Sequence, residues 1–128
     1  MDGQETSTSW TPDDLRHLDR TREVEIAVPH VAGRPNGWTP IWVVVVDDEV
    51  FVRTWRRRDT GWYGRAVRSA RTRMRVAGDS VDVVVAAIGD TNAAVVDAAY
   101  RTKYGRAGSE SMVTAEAAAS TLRLERAS

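Results

Sequence analysis

The run Ile41-Trp42-Val43-Val44-Val45-Val46 constrains this chain more than any other feature. Its β-branched residues favour extended backbone. Both of its faces are apolar, so the strand it forms, Thr39 to Val46, should be covered on both sides. Asp47-Asp48-Glu49 then turns the chain into a second extended stretch, Val50 to Trp55. The two stretches read as an antiparallel hairpin, although the turn lacks the favoured Asn-Gly pair. In the returning strand Val50, Val52 and Thr54 point one way, and Phe51, Arg53 and Trp55 the other.

The segments on either side fit the same kind of sheet. Residues 1–9 are polar and read as a flexible N-terminus; residues 10–128 read as one domain. Thr11-Pro12-Asp13-Asp14 has the capping hydroxyl, early proline and acids of a helix start. That helix runs to about Asp19, with Leu15 and Leu18 inward and Trp10 as a hydrophobic staple. Glu23 to Pro29 alternates as a half-exposed strand, and His30 to Gly37 is a loop. Thr60 is the expected cap of a helix over Gly61 to Ser69, with Trp62, Ala66 and Val67 towards the core. Thr72, Met74 and Val76 alternate with Arg71, Arg73 and Arg75 in a strand, and Val81 to Ile88 is another. A helix from Asn92 to Tyr104 shows Val95, Ala98, Ala99 and Thr102 at helical spacing and stops at Gly105. Arg106 to Met112 reads as a flexible loop, Thr114 as the cap of a short alanine-rich turn, and Thr121 to Arg126 as the last strand. Consecutive strands joined by short turns pair antiparallel. The expected class is α+β: a small six-stranded antiparallel split β-barrel with flanking helices, closed so that edges are hidden.

Composition removes several function classes. Lysine plus arginine equals aspartate plus glutamate, at 18 each, so there is no basic field for nucleic acid. No cysteine is present, which excludes disulfides, thiol nucleophiles and thiolate metal sites. No apolar run is long enough to cross a bilayer, and the first ten residues lack the pattern of a signal peptide. A cytoplasmic protein is expected. Phosphate-binding glycine motifs are absent. The two histidines, His17 and His30, fall in different elements, so a metal site is not expected. His17 belongs to the wet side of the first helix; His30 lies at a strand end.

One constellation remains. Arg53, Arg56, Arg57 and Arg58 gather at a strand end, with Trp55 among them and Trp62-Tyr63 just beyond. Arginine beside a helix N-terminus suits an anion, and tryptophan faces suit a flat ring. Charges of a solvated turn beside core tryptophans would give the same residues, and the sequence leaves both readings open.

The stretch PIWVVVVDDEVFVRTWRRRDTGWYGRAVRSARTRMRVAG resembles the flavin-reductase-type split barrels. It is most similar to the small actinobacterial proteins related to deazaflavin-dependent nitroreductases and pyridoxamine-phosphate-oxidase-like proteins. DAAYRTKYG and TLRLER, near the C-terminus, resemble an uncharacterised branch of the same superfamily. The resemblance implies a homodimer with a bound FMN or deazaflavin coenzyme. By position, Arg53, Arg56, Arg57 and Arg58 would hold its phosphate, with Trp55, Trp62 and Lys103 also at the cofactor. His30, Tyr63 and Tyr104 would be the candidates for protonating or hydrogen-bonding a flat or hydrophobic small-molecule substrate.

The loop Arg56 to Thr60 is shorter than in typical deazaflavin enzymes and lacks their glycine and proline. Three functions therefore stand as alternatives. The first is a small-molecule oxidoreductase using a flavin or deazaflavin. The second is a cofactor-free cyclase or isomerase of small-molecule biosynthesis. The third is a non-catalytic ligand-binding protein.

Overall fold

The computed structural model describes residues 10–27, 38–54 and 61–127, and for Gly61 and Trp62 the backbone alone. The first helix, α1 (Pro12–Arg20), begins as its sequence suggests. The Thr11 hydroxyl accepts from the Asp14 amide, and the Asp14 carboxylate accepts from the Thr11 amide. The expected staple is a stronger tether: Trp10 is buried, and its indole N–H donates to the Leu124 carbonyl at 2.9 Å.

The strands among the described residues are β1 (Glu23–Ala27), β2 (Thr39–Trp42), β3 (Val44–Val46), β4 (Glu49–Val52), β5 (Arg71–Val76), β6 (Asp79–Ala87) and β7 (Leu122–Arg126). They form one antiparallel sheet in the order β2-β1-β5-β6-β7-β4-β3, curled into a nearly closed barrel. Sequence reading expects six strands, and here there are seven, because the apolar run from Thr39 to Val46 divides at Val43. Its first half pairs with β1, Val24 opposite Ile41; its second half pairs with β4, Val44 opposite Phe51. The two outermost strands of the sheet are thus halves of one segment, and the chain itself joins the two edges.

The turn after β3 explains how the hairpin forms without Asn-Gly. Asp47 and Asp48 both take positive φ, 50° and 66°. That is the left-handed pair a two-residue hairpin needs, and aspartate tolerates it better than most residues.

Two apolar clusters form. Val24, Ile26, Val50, Val52, Met74, Val83 and Leu124 fill the barrel, and Leu18 and Trp10 belong to the same cluster. On the outer face, Val44 and Phe51 pack against Val96, Tyr100 and Tyr104 of α3 (Ala93–Tyr104). The buried stripe of α3 is therefore 96, 100 and 104, not the expected Val95, Ala98, Ala99 and Thr102. Val95 is 50% exposed. The large aromatic rings at four-residue spacing bury more area than valine and alanine, and they decide which side faces inward. In α2 (Gly61–Ser69) Tyr63 and Ala66 are buried, and Val67 is exposed against expectation.

The segment expected to be a flexible loop is a short helix, α4 (Arg106–Ser109), followed by a 3-10 turn over Glu110–Met112. Burial of Ser109 and Met112 fixes it. Thr114 caps α5 (Ala115–Ala119), its hydroxyl accepting from the Ala117 amide. No helix of the described residues is long and apolar enough to cross a membrane.

Candidate functional site

Several sequence-derived candidates lie outside the described residues: the flexible N-terminus 1–9, His30 and its loop, Trp55, Arg56, Arg57, Arg58, Thr60, and the side chain of Trp62. The structure brings the others to two places around α3, with Tyr63 apart from them in α2.

Arg53 continues the outward side of β4, which α3 covers, so it is only 1% exposed. Its guanidinium is a hub. Nε donates to the Thr121 hydroxyl at 2.9 Å; Nη1 donates to the Asp97 carboxylate at 2.5 Å and the Met112 carbonyl at 2.7 Å. The group also lies 5.6 Å from the centre of the Tyr100 ring. A buried cation needs such partners to offset its desolvation. Arg53 therefore ties β4, α3, the 3-10 turn and the start of β7 together. Burial pushes the Tyr100 phenol far above its ordinary range, against the opposing charge of Arg53, so that ring stays neutral.

Lys103 and Tyr104, at the end of α3, converge on the residue where the strand divides. Val43 is fully buried, so its backbone groups need partners. Its N–H donates to the Tyr104 hydroxyl at 3.1 Å, and its carbonyl accepts from Lys103 Nζ at 2.7 Å. The Tyr104 hydroxyl is 2.6 Å from the Arg22 carbonyl, its nearest acceptor, and Lys103 also donates to the Leu18 carbonyl at 2.8 Å. Trp42 stacks on Tyr104 with centroids 4.1 Å apart and planes 4° from parallel. Two side chains thus supply the bonds that a continuous strand would have taken from a neighbour. Desolvation lowers the Lys103 pKa to about 8, with Asp19 opposing the shift and Arg22 adding to it. Burial raises that of Tyr104, with its hydrogen bond to Val43 opposing.

Between β2 and the end of β4 the barrel leaves a cleft of about 400 Å³. Pro40, Ile41, Trp42 and Met112 give it apolar walls; Thr54, Ser111 and Glu23 give it polar ones. Arg53 forms part of its floor. Thr54 is the last described residue before the segment carrying Trp55 and the arginines. Sequence reading missed Trp42, Ser111 and Met112, because only folding brings them to Thr54. Among the described residues no cluster of His, Asp and Glu is placed to hold a metal ion.

A family model described as an uncharacterised protein conserved in bacteria, DUF2255, matches residues 14–124. The chain belongs to that family. No curated protein matches its sequence. This DUF2255 chain is similar in fold to several solved structures. A conserved hypothetical protein of Mycobacterium tuberculosis aligns with a TM-score of 0.59 at 12% identity, over 96% of this chain and 84% of the other. An FAD-binding protein of Mesorhizobium loti aligns with a TM-score of 0.56 at 11% identity, over 93% and 90%. A NimC/NimA family protein of Clostridium acetobutylicum aligns with a TM-score of 0.55 at 11% identity, over 89% and 78%. At such identities the likeness is one of fold alone, a nearly closed antiparallel barrel with flanking helices.

Proposed function

We propose that this DUF2255 protein binds a flavin-type cofactor in the cleft between β2 and the end of β4, as a small-molecule oxidoreductase. The cleft's position carries the reading: it opens where the chain passes from Thr54 into the arginine-rich segment. Its walls fit a flat heteroaromatic ring. Trp42, Ile41 and Met112 offer apolar surface, and Thr54 and Ser111 offer polar atoms at the ring's edge. The phosphate of FMN or of a deazaflavin coenzyme needs cations. Arg53 is already engaged with Asp97, so Arg56, Arg57 and Arg58 are assigned that task, with Trp55 and Trp62 beside the ring. The cofactor would supply the hydride or electron chemistry. The chain would bind it, orient it and exclude water, with His30 hydrogen-bonding a flat or hydrophobic substrate. The fold shared with an FAD-binding protein supports this assignment. A homodimer with cleft residues near the subunit junction, and relation to the small actinobacterial deazaflavin branch, belong to the same proposal.

One observation favours a second reading. Arg53, Lys103 and Tyr104, which the resemblance gives to the site, direct hydrogen bonds to the protein itself. A cleft without cofactor would take a flat apolar metabolite and act on it as a cyclase or isomerase. Titration of the purified protein with FMN, FAD and a deazaflavin coenzyme, followed by absorbance and by quenching of tryptophan emission, separates the two. Saturable binding of one of them, weakened about tenfold by Arg56→Ala with Arg58→Ala, supports the flavin reading. Absence of saturable binding by all three rejects it.

A further inference from the structure

Outside the cleft, one nucleophilic side chain stands in the wall of a second cavity. Between β3 and α3 runs a groove of about 420 Å³, formed by Val44, Val45, Val46, Val95, Ala98 and, at one end, Lys103. It shares no lining residue with the cleft, and Tyr104 with its Trp42 stack stands between β2 and α3. Lys103 is the single lysine of the chain; every other basic residue apart from the histidines is arginine. Arginine stays protonated under all ordinary conditions and has no nucleophilic lone pair. A lysine amine becomes a nucleophile once its environment disfavours the charge.

The surroundings of Nζ have that character. Its two hydrogen bonds go to the backbone carbonyls of Leu18 and Val43, and no carboxylate forms an ion pair with it among the described residues. Two N–H groups are thereby fixed. The third position on nitrogen holds a proton in the ammonium and the lone pair in the neutral amine. The amine titrates near 8, so about a tenth is neutral at pH 7. Asp19, in the same wall, is a carboxylate suited to moving a proton at that end of the groove.

We propose that Lys103 is a covalent binding site for small apolar aldehydes or ketones, which enter the groove between β3 and α3 and form an imine with Nζ. The nitrogen lone pair attacks the carbonyl carbon, and the carbinolamine that results loses its hydroxyl as water. Both hydrogens of that water come from the amine, which gives up its bonds to the Leu18 and Val43 carbonyls, and its oxygen comes from the carbonyl, so no oxidant or reductant takes part. The valine and alanine walls select an aliphatic chain, and the held amine gives the position where the carbonyl must lie.

The test uses the full chain with butanal and cyanoborohydride, which reduces an imine to a stable secondary amine, and locates adducts by peptide mass spectrometry. Labelling at Lys103, carried out at pH 7, should saturate with aldehyde concentration. Ala98→Phe, at an exposed helix position lining the groove, should reduce it about tenfold while the circular dichroism stays unchanged. No adduct at Lys103 overturns the proposal. So does labelling that grows linearly with aldehyde and ignores Ala98→Phe, because that is the behaviour of an ordinary surface amine. Flavin titration of the same Ala98→Phe variant should match the wild type, so failure at one site is distinguishable from failure at the other.

Discussion

Replacing Tyr104 with phenylalanine removes one oxygen atom from the point where the barrel closes. The ring and its stack on Trp42, 4.1 Å away, are retained, so packing changes little. Three backbone groups face the hydroxyl. The Arg22 carbonyl belongs to an exposed residue, where water can replace the lost donor. The Val43 carbonyl keeps Lys103 Nζ at 2.7 Å. The Val43 N–H is left with nothing, at a residue with no exposed surface. A buried donor without an acceptor costs about 1–3 kcal/mol. Taking ~2 kcal/mol, and the unfolding entropy typical of a chain of 128 residues, the melting temperature falls by roughly 7 °C. Urea unfolding followed by tryptophan fluorescence should show a lower midpoint and an unchanged slope. A loss below about 0.5 kcal/mol would mean that the hydroxyl does not hold the seam. The oxygen would then be free for the substrate role that the resemblance assigns to it.

Three further outcomes follow from the same contacts. Asp97→Asn leaves the charge of Arg53 buried without its counter-ion and should cost about 3 kcal/mol by guanidinium denaturation; a cost under ~1 kcal/mol refutes the hub. Lys103 binds its proton less tightly when folded than when unfolded, so the unfolded state holds more protons between pH 8 and 10.5. The stability difference between wild type and Lys103→Met should therefore shift in favour of wild type from pH 8 to 9.5, and a flat difference contradicts the burial. Asp47→Asn with Asp48→Gly puts the preferred pair into a turn with φ of 50° and 66°, and should raise stability by about 1 kcal/mol in thermal melts. Destabilisation would mean that the aspartates make contacts of their own.

Local pattern made most elements legible. The capping box at Thr11, the alternation of β5 and the start of α2 at Gly61 are all consequences of neighbours in sequence. What escaped depends on distant residues. Nothing within Thr39 to Val46 marks Val43 as a break, because the groups that satisfy it lie on Lys103 and Tyr104. The turn Glu110–Met112 looked mobile because its fixed point is a carbonyl bond to Arg53. Arg53 was legible as a cation at a strand end. Its burial was not, since that required knowing that α3 turns Tyr100, rather than Val95, towards β4.

The sheet order also governs when the molecule can exist at all. β7 lies between β6 and β4, with Leu124 opposite both Val85 and Val50. During synthesis every earlier strand can leave the ribosome and still produce only separate pieces, β2-β1-β5-β6 and β4-β3. Among the described residues, no strand before residue 122 bridges them by pairing. The barrel interior, including the Leu122 and Leu124 side chains that complete it, is thus assembled after translation has passed the final strand. Until then the valines of β3, β4 and β6 are exposed to whatever else is in solution. A chain stopped a few residues short would be prone to aggregation rather than merely less stable.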